Sequence, residues 1–124
     1  MARIDELSIY KDGCDLLSLA VDVQTQMQRA YKRSVGDRIH DLCAAMLEDM
    51  AMANACRGAD RVAQIDRLLM HLRAVTAMLR VGHDKKLIAT KVWAQSVEVL
   101  DTIGARAGGW KRQTLQTLSP APAA

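Results

Sequence analysis

Residues 39–53 read IHDLCAAMLEDMAMA, and this stretch decides the fold class of the chain. Its apolar residues recur at intervals of three and four, which places them on one face of a helix. They are Ile39, Leu42, Cys43, Met46, Leu47, Met50 and Ala53. Leucine, methionine and alanine favour helix over sheet. The stretch therefore predicts an amphipathic α-helix.

The rest of the chain has the same helical character. Of its 124 residues, 50% are hydrophobic and 25% are charged, and none is phenylalanine. Both prolines, Pro120 and Pro122, lie close to the C-terminus, so no proline ring interrupts a helix before them. A chain of this size can bury about two-thirds of its surface, and its apolar content excludes intrinsic disorder. The composition predicts one all-α domain.

Breaks in the apolar pattern divide the chain into four helices. Turn-forming residues occur near positions 34–36, 56–58 and 81–82. We expect helices over residues 5–31, 37–57, 60–81 and 85–107. Because short connections join antiparallel neighbours, this predicts an up-down-up-down antiparallel four-helix bundle. The bundle domain should cover residues 1–110, and residues 111–124 should form a basic, then Pro/Ala-rich flexible tail.

The apolar faces are wider than an isolated bundle needs. In the first helix the buried face is expected to contain Tyr10, Cys14, Leu17 and Val21. The second and fourth helices carry further small and apolar residues, which serve either a wide core or a contact with a second subunit. These candidate interface residues are Ala44, Ala51, Met52, Ala55, Trp93, Val97, Gly104, Gly108, Gly109 and Trp110.

The net charge of +3 is unevenly distributed along the chain. Residues 5–22 hold five acidic residues and one lysine, whereas residues 57–91 hold eight basic residues and three acidic ones. In an antiparallel bundle the first and third connections lie at the same end, which would gather basic residues there as a footprint for phosphates. The alternative is an ordinary solvated surface. The nucleic-acid-binding candidates are Arg29, Lys32, Arg33, Arg73, Arg80, Lys85, Lys86, Arg106, Lys111 and Arg112.

Arg73 and Arg80 lie at the margin of the apolar face of the third helix. They could pair with acidic groups across an interface or line an internal channel. Alternatively, their aliphatic stems could cover the core while the charged groups stay in water.

No combination of residues indicates a catalytic or metal site. The three histidines are far apart in sequence, and no H-E-x-x-H, E-x-x-H or C-x-x-C pattern occurs. We therefore expect no enzyme activity, no metal and no cofactor. The three cysteines are odd in number and show no pairing motif, which favours a reducing cytoplasm. The sequence shows no signal peptide and no apolar run of membrane length, so we expect no membrane partner.

Three motifs resemble those of one family of small four-helix-bundle proteins. Residues 103–111 read IGARAGGWK, residues 31–39 read YKRSVGDRI, and residues 79–81 read LRV. In this order and spacing they are similar to the accessory variability determinant proteins of diversity-generating retroelements and to the proteins encoded in 23S ribosomal RNA intervening sequences. The likeness covers roughly residues 8–112.

The resemblance implies a bundle that assembles into a ring-like homopentamer. In the retroelement members this ring has a basic surface that binds nucleic acid and a reverse transcriptase, whereas many relatives have no assigned activity. The leading hypothesis is thus a non-enzymatic oligomer that binds RNA or DNA through phosphate contacts. The alternative is a structural or protein–protein adaptor oligomer without nucleic-acid binding.

Overall fold

The fold is an all-α bundle of four long helices, described here from a computed structural model that covers residues 3, 4 and 7–118. The helices are α1 (Ser8–Gln26), α2 (Asp37–Ala55), α3 (Gly58–Asp84) and α4 (Thr90–Leu118). Helix α1 packs against α2 and α4, and α3 packs against the same two helices, so α1 and α3 stand at diagonal corners. The predicted four-helix bundle is confirmed.

The core is built from aliphatic and methionine side chains of all four helices. In α2 the predicted face is confirmed, since Ile39, Met46 and Met50 are fully buried. In α1 the predicted face is wrong by one position. The buried residues there are Ile9, Gly13, Leu16, Ala20 and Val23. Both faces of α1 have apolar residues at helical spacing, so periodicity alone could not choose between them.

Gly13 explains which face of α1 turns inward. A Cβ atom at this position would lie 2.7 Å from Cδ2 of Leu47 and 2.9 Å from Sδ of Met50, so the absence of a side chain lets α2 approach closely. Val21, on the face predicted to be buried, is 45% exposed. The close contact between α1 and α2 therefore sets the rotation of α1.

The first connection lies five residues earlier than predicted. Helix α1 ends at Gln26, and the buried Met27 adopts an extended conformation. The chain then returns to helix as the turn Arg29–Tyr31 and the π-turn Lys32–Gly36, which lead directly into α2. In the π-turn the N–H of Asp37 donates to the carbonyl of Lys32, five residues back. The predicted first helix, 5–31, is thus too long, and its residues 5 and 6 lie outside the described residues.

The second and third connections differ from prediction in smaller ways. Gly58 has a φ of +59°, a left-handed conformation that suits the turn predicted near residues 56–58. Helix α2 ends at Ala55, and α3 begins at Gly58 itself. Helix α3 does not stop at Gly82. A Cβ on this buried glycine would lie 2.6 Å from Cδ1 of Ile88, so its role is to admit that side chain. Helix α4 consequently begins at Thr90 instead of residue 85.

Helix α4 continues through Gly108 and Gly109, where the sequence predicted its end. The guanidinium of Arg61 lies 5.6 Å from the ring centroid of Trp110, and Nζ of Lys111 lies 2.7 Å from Oδ1 of Asp66. These contacts with α3 hold the helix together across two glycines of low helix propensity. The flexible-tail prediction is wrong for residues 111–118, while residues 119–124 lie outside the described residues.

Candidate nucleic-acid interface

The first and third connections lie at the same end of the bundle. A cleft of about 120 Å³ is lined by Asp22, Val23 and Gln26 from the end of α1 and by Leu87 and Ile88 from the third connection. The two basic segments of the sequence therefore belong to one end of the molecule. We call this end, defined by the following six residues, the basic end: Arg29, Lys32, Arg33, Arg80, Lys85 and Lys86.

Most charges of the basic end have no acidic partner within the part of the chain that the structure describes. Arg80 is the exception, because its Nε lies 4.0 Å from Oδ2 of Asp84, and both side chains are well exposed. Such an exposed pair contributes little. Within the described residues the other five members form no ion pair. All of them are exposed except Lys32, which is half-buried. These charges remain available to an external anion.

Three of these cations occupy the first turns of the helix that leads into α2. Arg29, Lys32 and Arg33 follow the i, i+3, i+4 spacing that places side chains on one helical face. The amino end of a helix carries partial positive charge within its first turn, so Arg29, the first helical residue, is disfavoured there by about 0.3–1 kcal/mol. No acidic residue occurs in this first turn to offset the charge. The π-turn that follows is a rare conformation that is frequent at functional sites.

Lys86 also holds an unfavourable position. Its φ is +61°, the left-handed conformation. Its N–H donates to the carbonyl of His83, and the N–H of Leu87 donates to the carbonyl of Gly82, so the two bonds close the end of α3 as a Schellman motif. Glycine is the usual residue at this position, and a side chain there costs about 1–2 kcal/mol. The cationic side chain is therefore present at the expense of stability.

The ring of His83 fixes the third connection to α4. It stacks on Trp93 with ring centroids 5.3 Å apart and an interplanar angle of 9°. Its Nε2 also lies 3.4 Å from Oγ1 of Thr90. An open cleft beside this stack has a volume of about 660 Å³ and is partly lined by Lys86. His83 thus holds the connection that carries Lys85 and Lys86 against α4.

The remaining nucleic-acid-binding candidates lie elsewhere. Arg106, Lys111 and Arg112 are on the second half of α4, about 24 to 33 Å along the helix axis from its first residue. Nε of Arg106 lies 3.1 Å from Oδ2 of Asp12, and Lys111 pairs with Asp66, so two of the three have acidic partners. Arg73 is exposed near the middle of α3. The structure therefore divides the ten candidates into six at the basic end and four away from it.

The interface candidates on α4 make contacts inside their own chain. A Cβ on Gly104 would lie 3.5 Å from Cδ2 of Leu72, so this glycine belongs to the packing of α4 on α3. Trp93 stacks on His83, and Trp110 lies under Arg61. The other α4 candidates, Val97, Gly108 and Gly109, are half-buried.

The interface candidates on α2 are more accessible. Ala51 and Ala55 are exposed, Met52 is 51% exposed, and Ala44 is half-buried. These α2 residues are the accessible part of the predicted interface.

Sequence reasoning missed a buried carboxylate that connects α2 to α3. Asp49 is 4% exposed, its Oδ2 lies 2.5 Å from Nδ1 of His71, and its Oδ1 lies 3.7 Å from Nε of Arg67. An acidic residue beside the core residue Met50 was the available signal. Among the described residues, no three His, Cys, Asp or Glu side chains lie close enough to hold a metal ion. The arrangement is suited to joining two helices.

The three thiols differ in their surroundings. Cys43 is buried, and desolvation raises the pKa of its thiol to about 12, so it stays protonated and unreactive. Cys14 is exposed and Cys56 is half-buried. No disulfide joins them in the described structure.

Comparisons with protein-family models, curated proteins and solved structures find no match. The family resemblance of the three motifs accordingly stays a prediction. Over the described residues, every helix is too short or too polar to traverse a lipid bilayer.

Proposed function

We propose that this protein is a non-enzymatic homo-oligomer whose basic end binds single-stranded RNA or DNA, or an RNA–DNA hybrid, through phosphate contacts. The observation that carries the proposal is the group of five cations at the basic end that have no acidic partner among the described residues. Two of these cations, Arg29 and Lys86, occupy positions that are unfavourable for helix stability. A phosphate-binding site would explain why cations occupy positions that cost stability.

The expected mode of binding is electrostatic and largely independent of sequence. Each cation that neutralises a phosphate of a single strand releases condensed counterions and adds about −0.7 to the slope of log affinity against log salt. Five cations per protomer would give a slope of up to about −3.5, and oligomerisation would multiply the contacts. Tyr31, which is 42% exposed beside these cations, is the aromatic side chain placed to stack on a base.

The family resemblance supports two finer parts of the proposal. A pentamer would place five basic ends on one ring, and the partner served by such a ring would be a reverse transcriptase. These parts rest on the three motifs alone. Subunit number is measured by light scattering, and the partner is tested by co-purification with the reverse transcriptase encoded nearest to this gene.

Fluorescence anisotropy with a labelled 20-nucleotide single strand, from about 50 to 300 mM salt, tests the nucleic-acid site. The double variant Lys85→Glu/Lys86→Glu changes the charge of the basic end. The matched control Arg57→Glu/Arg112→Glu makes the same charge change with exposed residues far from that end. We expect more than tenfold weaker binding for the first variant and less than threefold for the control.

Two results would overturn the proposed site. The wild-type protein could fail to bind the strand at about 50 mM salt, or the two double variants could weaken binding equally. A protein that oligomerises but binds no nucleic acid would favour the adaptor function, for which the exposed apolar side chains Val21, Met70 and Val81 provide the supporting observation.

A further inference from the structure

A cavity of about 320 Å³ lies far from the basic end, where α3 begins and the last turns of α4 pass. Small-molecule sites in proteins typically measure about 300–1,000 Å³, so this cavity suits a small ligand. No acidic side chain of the described residues belongs to its lining. We call it the Arg61 cavity, defined by its lining residues: Arg57, Gly58, Arg61, Trp110, Gln113, Thr114 and Thr117.

The guanidinium of Arg61 is held in one position by three contacts. Its Nε donates to the carbonyl of Ala53 over 2.9 Å, and its Nη2 donates to the carbonyl of Asn54 over 3.3 Å. Both carbonyls lie at the end of α2, where backbone acceptors lack helical partners. The Cζ of Arg61 also lies 5.6 Å from the ring centroid of Trp110. A guanidinium fixed in this way loses little conformational freedom when it binds a ligand.

One edge of this guanidinium has no partner in the described structure. Arginine has five N–H donors in a rigid fork, of which the two carbonyls use one on Nε and one on Nη2. The remaining donors are on Nη1 and Nη2, where two N–H groups run parallel. This arrangement binds two oxygens of one phosphate or carboxylate group. Because Arg61 is half-buried and lines the cavity, the cavity offers these donors to a ligand.

Arg57 brings a second cation to the Arg61 cavity. Within the described residues neither arginine forms an ion pair. Asp60, an acidic residue of the first turn of α3, is exposed and is not part of the lining. Arg57 and Arg61 are four residues apart, a spacing at which like charges repel each other on a helix. An anion bound between them would remove this repulsion.

Neutral groups in the lining add further donors. The side-chain amide of Gln113 is exposed and makes no hydrogen bond within the described residues. No side chain caps the N–H groups that begin α3 at Gly58, and these groups add to the attraction that the arginines exert on an anion. The hydroxyls of Thr114 and Thr117 instead donate to the carbonyls of Trp110 and Thr114. The donors left over in the cavity therefore outnumber its charged acceptors.

We infer that the Arg61 cavity binds the phosphate group of a small phosphomonoester. Such a group carries a charge of about −1.5 to −2 at neutral pH and has three terminal oxygens. It therefore matches two cations and the paired N–H groups of Arg61. A carboxylate has one charge and two oxygens, and it would leave one arginine without a counter-charge. This site goes beyond the proposed function, because none of its residues belongs to the basic end.

NMR titration of the full chain with sodium phosphate, at constant ionic strength and a pH of about 7, tests the site. We expect saturable shifts of the backbone amide signals of Gly58 and Gln113 and of the Nε–H signal of Arg61. Titration with a nucleoside 5′-monophosphate and with a short oligonucleotide bearing a 5′ phosphate identifies the source of the group. The source is the compound that binds more tightly. The same compounds without the phosphate should not shift these signals.

Two variants with matched controls locate the bound phosphate. Arg57→Gln removes a cation from the lining, whereas Arg112→Gln removes an exposed cation outside it. Gln113→Glu adds a carboxylate to the lining, whereas Gln116→Glu makes the same change at an exposed position one turn further along α4. Because all four side chains are exposed, the variants should keep the helical circular dichroism of the wild type. We expect about tenfold or more weaker phosphate binding for each lining variant and less than about twofold for each control, as for loss of a charge-assisted hydrogen bond.

Three results would overturn the inference. They are the absence of saturable binding up to about 10 mM phosphate, equal effects of the lining variants and their controls, and shifts confined to the basic end. The double variant Lys85→Glu/Lys86→Glu separates this site from the proposed function. It should weaken binding of the labelled strand and leave phosphate binding in the Arg61 cavity unchanged. A protein that binds phosphate in the cavity but no strand would refute only the nucleic-acid function, and the converse result would refute only the cavity.

Discussion

Replacement of His71 by leucine should reveal how strongly the buried carboxylate of Asp49 depends on its partner. The imidazole Nδ1 donates to Oδ2 of Asp49 over 2.5 Å, and the carboxylate is nearly inaccessible to water. Removing a hydrogen-bond donor leaves a buried polar group unsatisfied, which costs about 1–3 kcal/mol and more for a charged group such as this carboxylate. Arg67 stays 3.7 Å away, but its side chain is 63% exposed, so it replaces only part of the interaction. We expect a loss of about 3 kcal/mol in the free energy of unfolding.

A second substitution, Asp49→Asn, distinguishes charge from shape because asparagine has nearly the same volume without the charge. In the wild-type background it should destabilise the protein by about 1–2 kcal/mol, since it weakens a charge-assisted hydrogen bond. In the His71→Leu background it should instead recover about 1 kcal/mol, since it removes the uncompensated charge. The same substitution thus changes the sign of its effect.

Urea unfolding followed by far-ultraviolet circular dichroism measures all four proteins of this cycle. The chain concentration must be identical throughout, because association would stabilise the folded state by mass action. The expected 3 kcal/mol corresponds to a fall of about 10–15 °C in the melting temperature. A loss below 1 kcal/mol for His71→Leu, or an equal effect of Asp49→Asn in both backgrounds, would refute the reasoning.

Two further predictions concern single side chains. Lys86→Gly should raise the free energy of unfolding by about 1 kcal/mol, because glycine adopts the observed φ of +61° without penalty. It should also weaken binding of the labelled strand, because a cation is removed. Thermal melts and anisotropy measure the two effects, and a lower melting temperature would contradict the first. Iodoacetamide at pH 8 should modify the exposed Cys14 and leave Cys43 unmodified, because burial raises the pKa of Cys43 to about 12. Peptide mass spectrometry measures the modification of each cysteine. Equal modification of the two would contradict this difference in reactivity. The stability contributed by the Cys43 thiol is fully present below about pH 9 and is lost as the pH rises toward 12, because the unfolded chain ionises first.

The number and order of the helices followed from the sequence because their apolar patterns are long and regular. Their ends did not follow, because tertiary contacts outweighed local preference. Gly108 and Gly109 would end an isolated helix, but the contact of Trp110 with Arg61 holds the chain in helix. Conversely, α1 ends at Gln26 without any glycine or proline, because the side chain of Met27 turns into the core.

The sequence predicted which cations gather at the basic end but not which cations form ion pairs. The antiparallel order of the helices was enough to expect Lys32 and Lys85 at the same end. Sequence could not tell that Lys111 is paired with Asp66 while Lys85 has no acidic partner among the described residues, because that depends on the rotation of each helix. The same limit hid the pairing of Asp49 with His71.

The π-turn Lys32–Gly36 changes the rotation of the helical segment before it relative to α2. One extra residue is accommodated there, so deletion of a residue such as Ser34 would restore an uninterrupted α-helix. The deletion would swing the three leading cations by about 100° around the axis, while the side chains beyond Asp37 kept their places in the core. Insertion or deletion of one residue in the π-turn would therefore change the direction in which these three cations point, without moving the core side chains of α2.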